Sequence, residues 1–239
     1  MLITTNAIVL SKLRYKDNDL IVTCYTEEKG VLSFLLRGVL KSKKGGSKVA
    51  YYQLLSQIQM VVNYKAKSSL HSVKETKPIH IYSSLHTNVV KSAIVMFLAE
   101  VLANTLKEEE QNKTLYSYLE NTLLWLDSQQ TFANFHLLFL LNLTKYLGFY
   151  PDVSLLKYPY FNLYEGEFQL EASNKYCISG ENLELLKTLL GINFEALSSV
   201  KISAKQRQQF LNTILLYFEL HLGTFKKPKS LQIFNQVFS

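Results

Sequence analysis

The sequence predicts an α+β chain, with short strands filling the first third and helices the remainder. Three observations carry this. Five brief runs rich in Val, Ile, Leu, Thr, Tyr and Phe, separated by turn-forming residues, precede Pro78. Beyond it the apolar residues recur at three- and four-residue steps. Charge divides at the same place: residues 1–80 hold 13 Lys and Arg against 5 Asp and Glu, a surplus of +8, whereas residues 81–239 contribute −1 to the net charge of +7. The expected boundaries are a basic strand domain over 1–80 and a neutral helical domain over 81–239.

The strands fall at 7–10, 20–26, 31–36, 54–63 and, more weakly, 70–73, with polar and apolar residues alternating in Gln57-Ile58-Gln59-Met60. Turn residues separate them at 16–19, 27–30 and 65–69, and a long basic loop follows the third strand. An open sheet of five short strands would expose two edges, so a closed or nearly closed barrel is expected, with the OB-fold as the natural candidate.

The first helix is expected over 84–107, where Val89, Val90, Ala93, Ile94, Phe97, Leu98, Val101 and Leu102 mark one face. A second spans 114–126. A third, over 131–147, is apolar almost all round until Gly148, which suits the centre of a bundle. Residues 149–179, with Pro151, Pro159 and the turn-like Glu165-Gly166, read as an irregular insertion ending in a hairpin. Helices resume at 180–190 and at 203–222, where Ser203 and Gln206 have capping-box spacing. Leu231, Ile233, Phe234 and Val237 form a last apolar segment packing back on the bundle.

With 48% apolar residues in 239, the chain can bury a full core. Its unbroken apolar runs fall well short of the roughly 18 residues that span a bilayer, so no membrane role is expected. Neither a charged n-region nor a signal-type apolar run opens the chain, and Cys24 and Cys177 alone make no disulfide framework. A cytoplasmic protein is the expectation.

The candidate site begins where the third strand runs into the basic loop. Within residues 32–48 stand Arg37, Lys41, Lys43, Lys44 and Lys48, no acidic residue, and the pair Gly45-Gly46. Such a loop offers cations and free backbone amides to phosphates; the plainer alternative is a solvated lysine-rich turn. Arg14 and Lys16 in the first turn, and Lys65 and Lys67 in the last, extend the positive track. Tyr51 and Tyr52 follow the loop and are placed either to stack on bases or to fill the barrel core. Lys226, Lys227 and Lys229 form a second, smaller basic cluster.

Catalysis finds little support. Asp17 and Asp19 sit in a turn, Glu108 to Glu110 read as a solvated helix end, and Gly45-Gly46-Ser47-Lys48 lacks the spacing of a phosphate-binding loop. His71, His80, His86, His136 and His221 show no metal-ligand spacing. No catalytic residue, metal or cofactor is expected.

Several motifs in order resemble one family. Ala7-Ile8-Val9-Leu10, Tyr15 with Asp19-Leu20-Ile21-Val22, Thr26-Glu27-Glu28-Lys29-Gly30 and Arg37-Gly38 before a lysine-rich loop resemble the N-terminal domain of the bacterial recombination mediator family RecO. Glu75, Tyr146-Leu147-Gly148-Phe149-Tyr150-Pro151 and His221-Leu222-Gly223 before Lys229-Ser230-Leu231 extend the likeness over essentially the whole chain. The resemblance implies an N-terminal OB-fold, a helical C-terminal domain, binding of single- and double-stranded DNA, annealing of complementary strands, and location at the nucleoid. It also implies work with RecR and the acidic tail of the single-strand-binding protein to load RecA. Family members often carry a four-cysteine zinc module in the insertion. Here only Cys177 remains, so a degenerate, zinc-finger-like insertion held by Tyr158, Tyr160, Phe161, Leu163 and Phe168 is expected. Two other readings stay open: a non-catalytic protein-interaction scaffold whose basic loop meets acidic tails, and a general OB-fold binder of single-stranded nucleic acid, RNA included.

Overall fold

The computed structural model describes residues 1–41, 49–106 and 111–238. These form two compact units, Met1–Ser128 with Pro228–Ser230, and Gln129–Lys227 with Leu231–Ser239.

In the first unit, β1 (Leu2–Tyr15), β2 (Asp19–Thr26), β3 (Gly30–Leu36), β4 (Gln57–Asn63) and β5 (His71–Pro78) close into a barrel in the order β1-β2-β3-β5-β4. The β3–β5 pair is parallel and the others antiparallel, which is the OB topology. Alternation builds the core: Leu20, Val22 and Cys24 from β2, Leu32, Phe34 and Leu36 from β3, and Ile58, Met60 and Val62 from β4 meet Ala7 and Val9. Burial raises the Cys24 thiol far above its ordinary pKa, so it acts as a small apolar residue.

β1 is much longer than its apolar run of four. Leu2 to Ile8 pair with β4, whereas Ala7 to Tyr15 pair with β2, so a single strand serves both neighbours and closes the barrel. A bulge between Val9 and Ser11 bends it between the two tasks. Lys12 and Arg14 interrupt the hydrophobic pattern but stay in the ladder, opposite Val22 and Leu20.

Two helices belong to the same unit, α1 (Val89–Thr105) and α2 (Lys113–Ser128). α1 starts five residues later than its apolar periodicity suggests. The backbone N–H groups of Ser83, Ser84 and Leu85 donate instead to the Asp127 carboxylate near the end of α2, at 2.8 to 3.0 Å. Asn88 then caps α1, accepting from Val90 and Lys91. The helices are held to the barrel by polar contacts as well as packing: Gln57 Nε2 donates to the Glu120 carbonyl (3.0 Å), and the Tyr25 hydroxyl to that of Asn112 (3.2 Å).

The second unit contains α3 (Phe135–Leu147), a small sheet of β6 (Tyr160–Asn162), β7 (Glu167–Gln169) and β8 (Cys177–Ile178) in the order β7-β6-β8, then α4 (Gly180–Leu190), α5 (Ala204–His221) and α6 (Leu231–Phe238). Nearly every residue from Phe135 to Thr144 is buried, as an all-round apolar helix requires. The Ser203–Gln206 capping box forms in both directions, and α6 packs back through Phe234, whose ring lies 4.8 Å from His136.

The segment over 149–179 is more ordered than the irregular hairpin expected of it. Phe161, Leu163 and Phe168 are buried, Tyr158 and Tyr160 half-buried, and β8 adds a third strand beside the hairpin. Among the described residues no group of three or more His, Cys, Asp or Glu is placed to hold a metal ion. Among them, too, no helix is long and apolar enough to cross a membrane.

Gly166 fixes the β6–β7 turn at φ +77°, where a Cβ would stand only 2.9 Å from the Tyr217 hydroxyl. That hydroxyl donates to the Phe149 carbonyl (2.7 Å). Gly166→Ala adds left-handed strain of roughly 1–2 kcal/mol and pushes on this bond. A drop of several degrees in the thermal unfolding midpoint is expected, and an unchanged midpoint would show that the turn relaxes freely.

Candidate nucleic-acid interface

Loop geometry brings the segments carrying Lys16, Arg37, Lys41 and Lys65 to one end of the barrel. In the β1–β2 turn, Asp19 Oδ1 accepts the Gly38 N–H (2.7 Å) and the Asn18 carbonyl accepts the Leu40 N–H (3.0 Å). These bonds tie the turn that carries Lys16 to the segment 37–41 that carries Arg37 and Lys41. Asp19 thus has the work of a turn former, and Gly38, with φ +62°, gives the backbone the left-handed step it needs there. Lys16 also sits at positive φ (52°), and its ammonium lies 5.4 Å from the Tyr15 ring.

The β4–β5 loop reaches the same face through β5. Phe34 pairs with His71 and Leu35 with Ser72, placing the start of β5 beside the end of β3. The Lys65 N–H donates to His71 Nδ1 (3.4 Å), and Tyr64 stacks on the His71 ring at 5.1 Å. Burial lowers the His71 pKa, which keeps the imidazole neutral and its nitrogen able to accept. Arg37 and Lys65 consequently line one groove of about 500 Å³, together with Leu35, Asn63, Ser68 and His71. None of the described residues lining it is acidic.

The other expected residues divide. Arg14 is exposed but shares its side of the ladder with Leu20, a core residue, so it lies at the barrel mouth beside Lys12, which sequence reasoning did not single out. Lys67 is exposed in the β4–β5 loop. Lys43, Lys44 and Lys48 lie outside the described residues.

Tyr52 is a correction. It is 4% exposed within the barrel core, and its hydroxyl bonds that of Thr76, so it presents no ring to a base. Burial pushes its pKa up to about 12. Tyr51, half-buried, packs against the same core. Leu13 and Tyr15, near the β1–β2 turn, are exposed large apolar residues that their sequence context does not mark for binding.

Lys226, Lys227 and Lys229 are not a uniform patch. Lys227 pairs with Glu219 (3.6 Å) in the second unit. Lys229 belongs to the first unit, where its N–H and that of Ser230 donate to the Glu100 carboxylate (2.8 and 2.9 Å).

A closed OB barrel with a cationic groove where the end of β3 meets the β4–β5 loop, followed by helices, defines an OB-barrel protein. The Recombination protein O N-terminal model matches residues 1–82, and the C-terminal model matches 86–155 and 158–232. Proteins named DNA repair protein RecO are similar throughout: that of Christiangramia forsetii is 49% identical over 238 residues, that of Flavobacterium johnsoniae 41% over 239, and that of Bacteroides fragilis 37% over 245, each covering 100% of both chains. The chain belongs to the RecO family of DNA repair proteins.

Proposed function

We propose that this protein is a recombination mediator that binds single- and double-stranded DNA and anneals complementary strands. The convergence of Arg37 and Lys65 on the ligand face of an OB barrel, in a family of DNA repair proteins, is the observation that supports this most. In this reading the barrel, residues 1–80, is the DNA-binding domain and residues 81–239 form the helical domain that engages partner proteins. Cations on the barrel neutralise phosphates on two strands at once, which lowers the repulsion that opposes pairing.

RecR, the acidic tail of the single-strand-binding protein and, through them, RecA are the partners the family resemblance implies. The cluster of Lys226, Lys227 and Lys229 would meet either an acidic tail or the DNA path. The protein works without a catalytic step or cofactor, in the cytoplasm at the nucleoid.

Titration of the full chain with an unstructured single-stranded DNA at several salt concentrations tests this. Five neutralised phosphates give a log–log slope of about −3.5 and about a hundredfold loss of affinity between 50 and 200 mM salt. Complementary oligonucleotides should also pair faster in its presence. Absence of binding at 50 mM salt would overturn the reading in favour of a scaffold.

A further inference from the structure

We propose that a cavity enclosed by α3, α5 and α6 binds a nucleoside monophosphate, with its base against His136 and its phosphate on Lys205 and Arg207. The site lies wholly within the second unit, and the proposal is independent of DNA binding by the barrel.

His136 marks the cavity. The imidazole has no exposed surface, and neither Nδ1 nor Nε2 has a hydrogen-bond partner among the described residues. The Phe234 and Phe238 rings approach it edge-on, at 4.8 and 5.3 Å, and satisfy neither nitrogen. Burial and the Arg207 charge keep the ring neutral, so it offers one N–H and one bare nitrogen. Buried polar groups nearly always find a partner, and this one lines a cavity of about 210 Å³. That is several times the roughly 30 Å³ share of one water, yet below the roughly 300 Å³ at which pockets for drug-sized ligands begin. It admits one ring system with a substituent and is too small for an extended chain.

The lining sorts by chemistry. Arg207 and Gln208 share a face of α5 with Leu211, four and three residues on, and Lys205 stands exposed at its edge. Both cations sit in the first turns of α5, where the helix dipole also favours an anion. Arg207 donates through Nε to Asn134 Oδ1 (2.9 Å) and through Nη2 to the Ile202 carbonyl (3.5 Å). Neither Arg207 nor Lys205 has a carboxylate partner among the described residues. From α6 come the Asn235 amide and the rings of Phe234 and Phe238, stacked on each other at 4.4 Å. Aromatic rings, amides and a neutral imidazole beside two cations suit a base that carries one phosphate. A base edge bears both donors and acceptors and so can satisfy either His136 nitrogen, whereas an aromatic carboxylate only accepts.

The test titrates deoxyadenosine monophosphate (dAMP) into the full chain carrying isotope-labelled histidine, with the His136 ring nitrogens read by NMR and affinity by calorimetry. The nucleotide should shift the His136 resonances. Deoxyadenosine, which lacks the phosphate, should bind about tenfold more weakly, since a lost charge-assisted bond costs at least that factor. Lys205→Gln, an exposed change, should impose about the same tenfold loss on dAMP and none on deoxyadenosine. His136→Phe, which keeps a ring in the core, should remove binding of both; if that variant fails to fold, the Lys205→Gln titrations decide. Inorganic phosphate shifting His136 as far as dAMP does would reduce the site to a simple anion hole, and benzoate binding as tightly would replace the nucleotide by an aromatic acid. Either result overturns the proposal, as would dAMP that leaves His136 unmoved or that binds either variant as tightly as the wild type. None of these outcomes bears on DNA binding by the barrel.

Discussion

Reversal of both groove cations, Arg37→Glu with Lys65→Glu, should weaken binding of single- and double-stranded DNA on the order of a hundredfold. Hydrogen bonds to charged groups contribute about 1.5–3 kcal/mol each, so losing two at the lower end already reaches that factor. The salt slope for single strands should become shallower by about 1.4, because each lost phosphate contact removes about 0.7. Both side chains are exposed and the Lys65 contact to His71 is made by its backbone, so the thermal unfolding midpoint should stay put. A variant that folds normally and keeps wild-type affinity and slope would remove this groove from the DNA path.

The groove also shows where sequence reasoning stopped. The barrel was legible because alternation in β2, β3 and β4 is local and its apolar positions are the core positions, from Leu20 and Val22 to Met60 and Val62. Arg37 and Lys65 could each be suspected from charge, but their approach depends on the parallel pairing of Leu35 with Ser72, and a contact between segments so far apart has no local signature. The length of β1 was hidden for a related reason. Lys12 and Arg14 look like turn residues, and only pairing with Val22 and Leu20 makes them strand. Tyr52 failed the other way, since a tyrosine beside a basic loop reads alike whether its ring faces water or the core. Family motifs covered Arg37-Gly38 but carried no information on which apolar side chains share its face.

Asp127 is the residue whose loss should cost the fold most, and nothing near it in sequence announces this. Its carboxylate accepts three backbone N–H groups, of Ser83, Ser84 and Leu85, and the hydroxyls of Ser83 and Ser84. Lys91, itself 2% exposed, donates to the Asp127 carbonyl (2.8 Å) and to Ser84 Oγ (2.7 Å), so its charge meets the carbonyl end of α2. Asp127→Ala would leave those backbone and serine donors without their acceptor and take the compensating negative charge from beside the buried Lys91 ammonium, which keeps its own backbone acceptor, at a cost of roughly 3–5 kcal/mol. In a chain of this size that lowers the unfolding midpoint by on the order of 10 °C. Although burial raises the Asp127 pKa, the backbone and serine donors outweigh it and hold the value at about 2, below the ordinary 3.8. A carboxylate depressed in this way stabilises the fold fully above its unfolded pKa, and the contribution disappears as pH falls from about 4 through 2. Over that window the wild type should lose about 2 kcal/mol through this group, whereas Asp127→Asn, which keeps the shape without the charge, should show a correspondingly flatter acid limb. Denaturant unfolding at stepped pH separates the two, and parallel acid limbs would mean that Asp127 acts by shape alone.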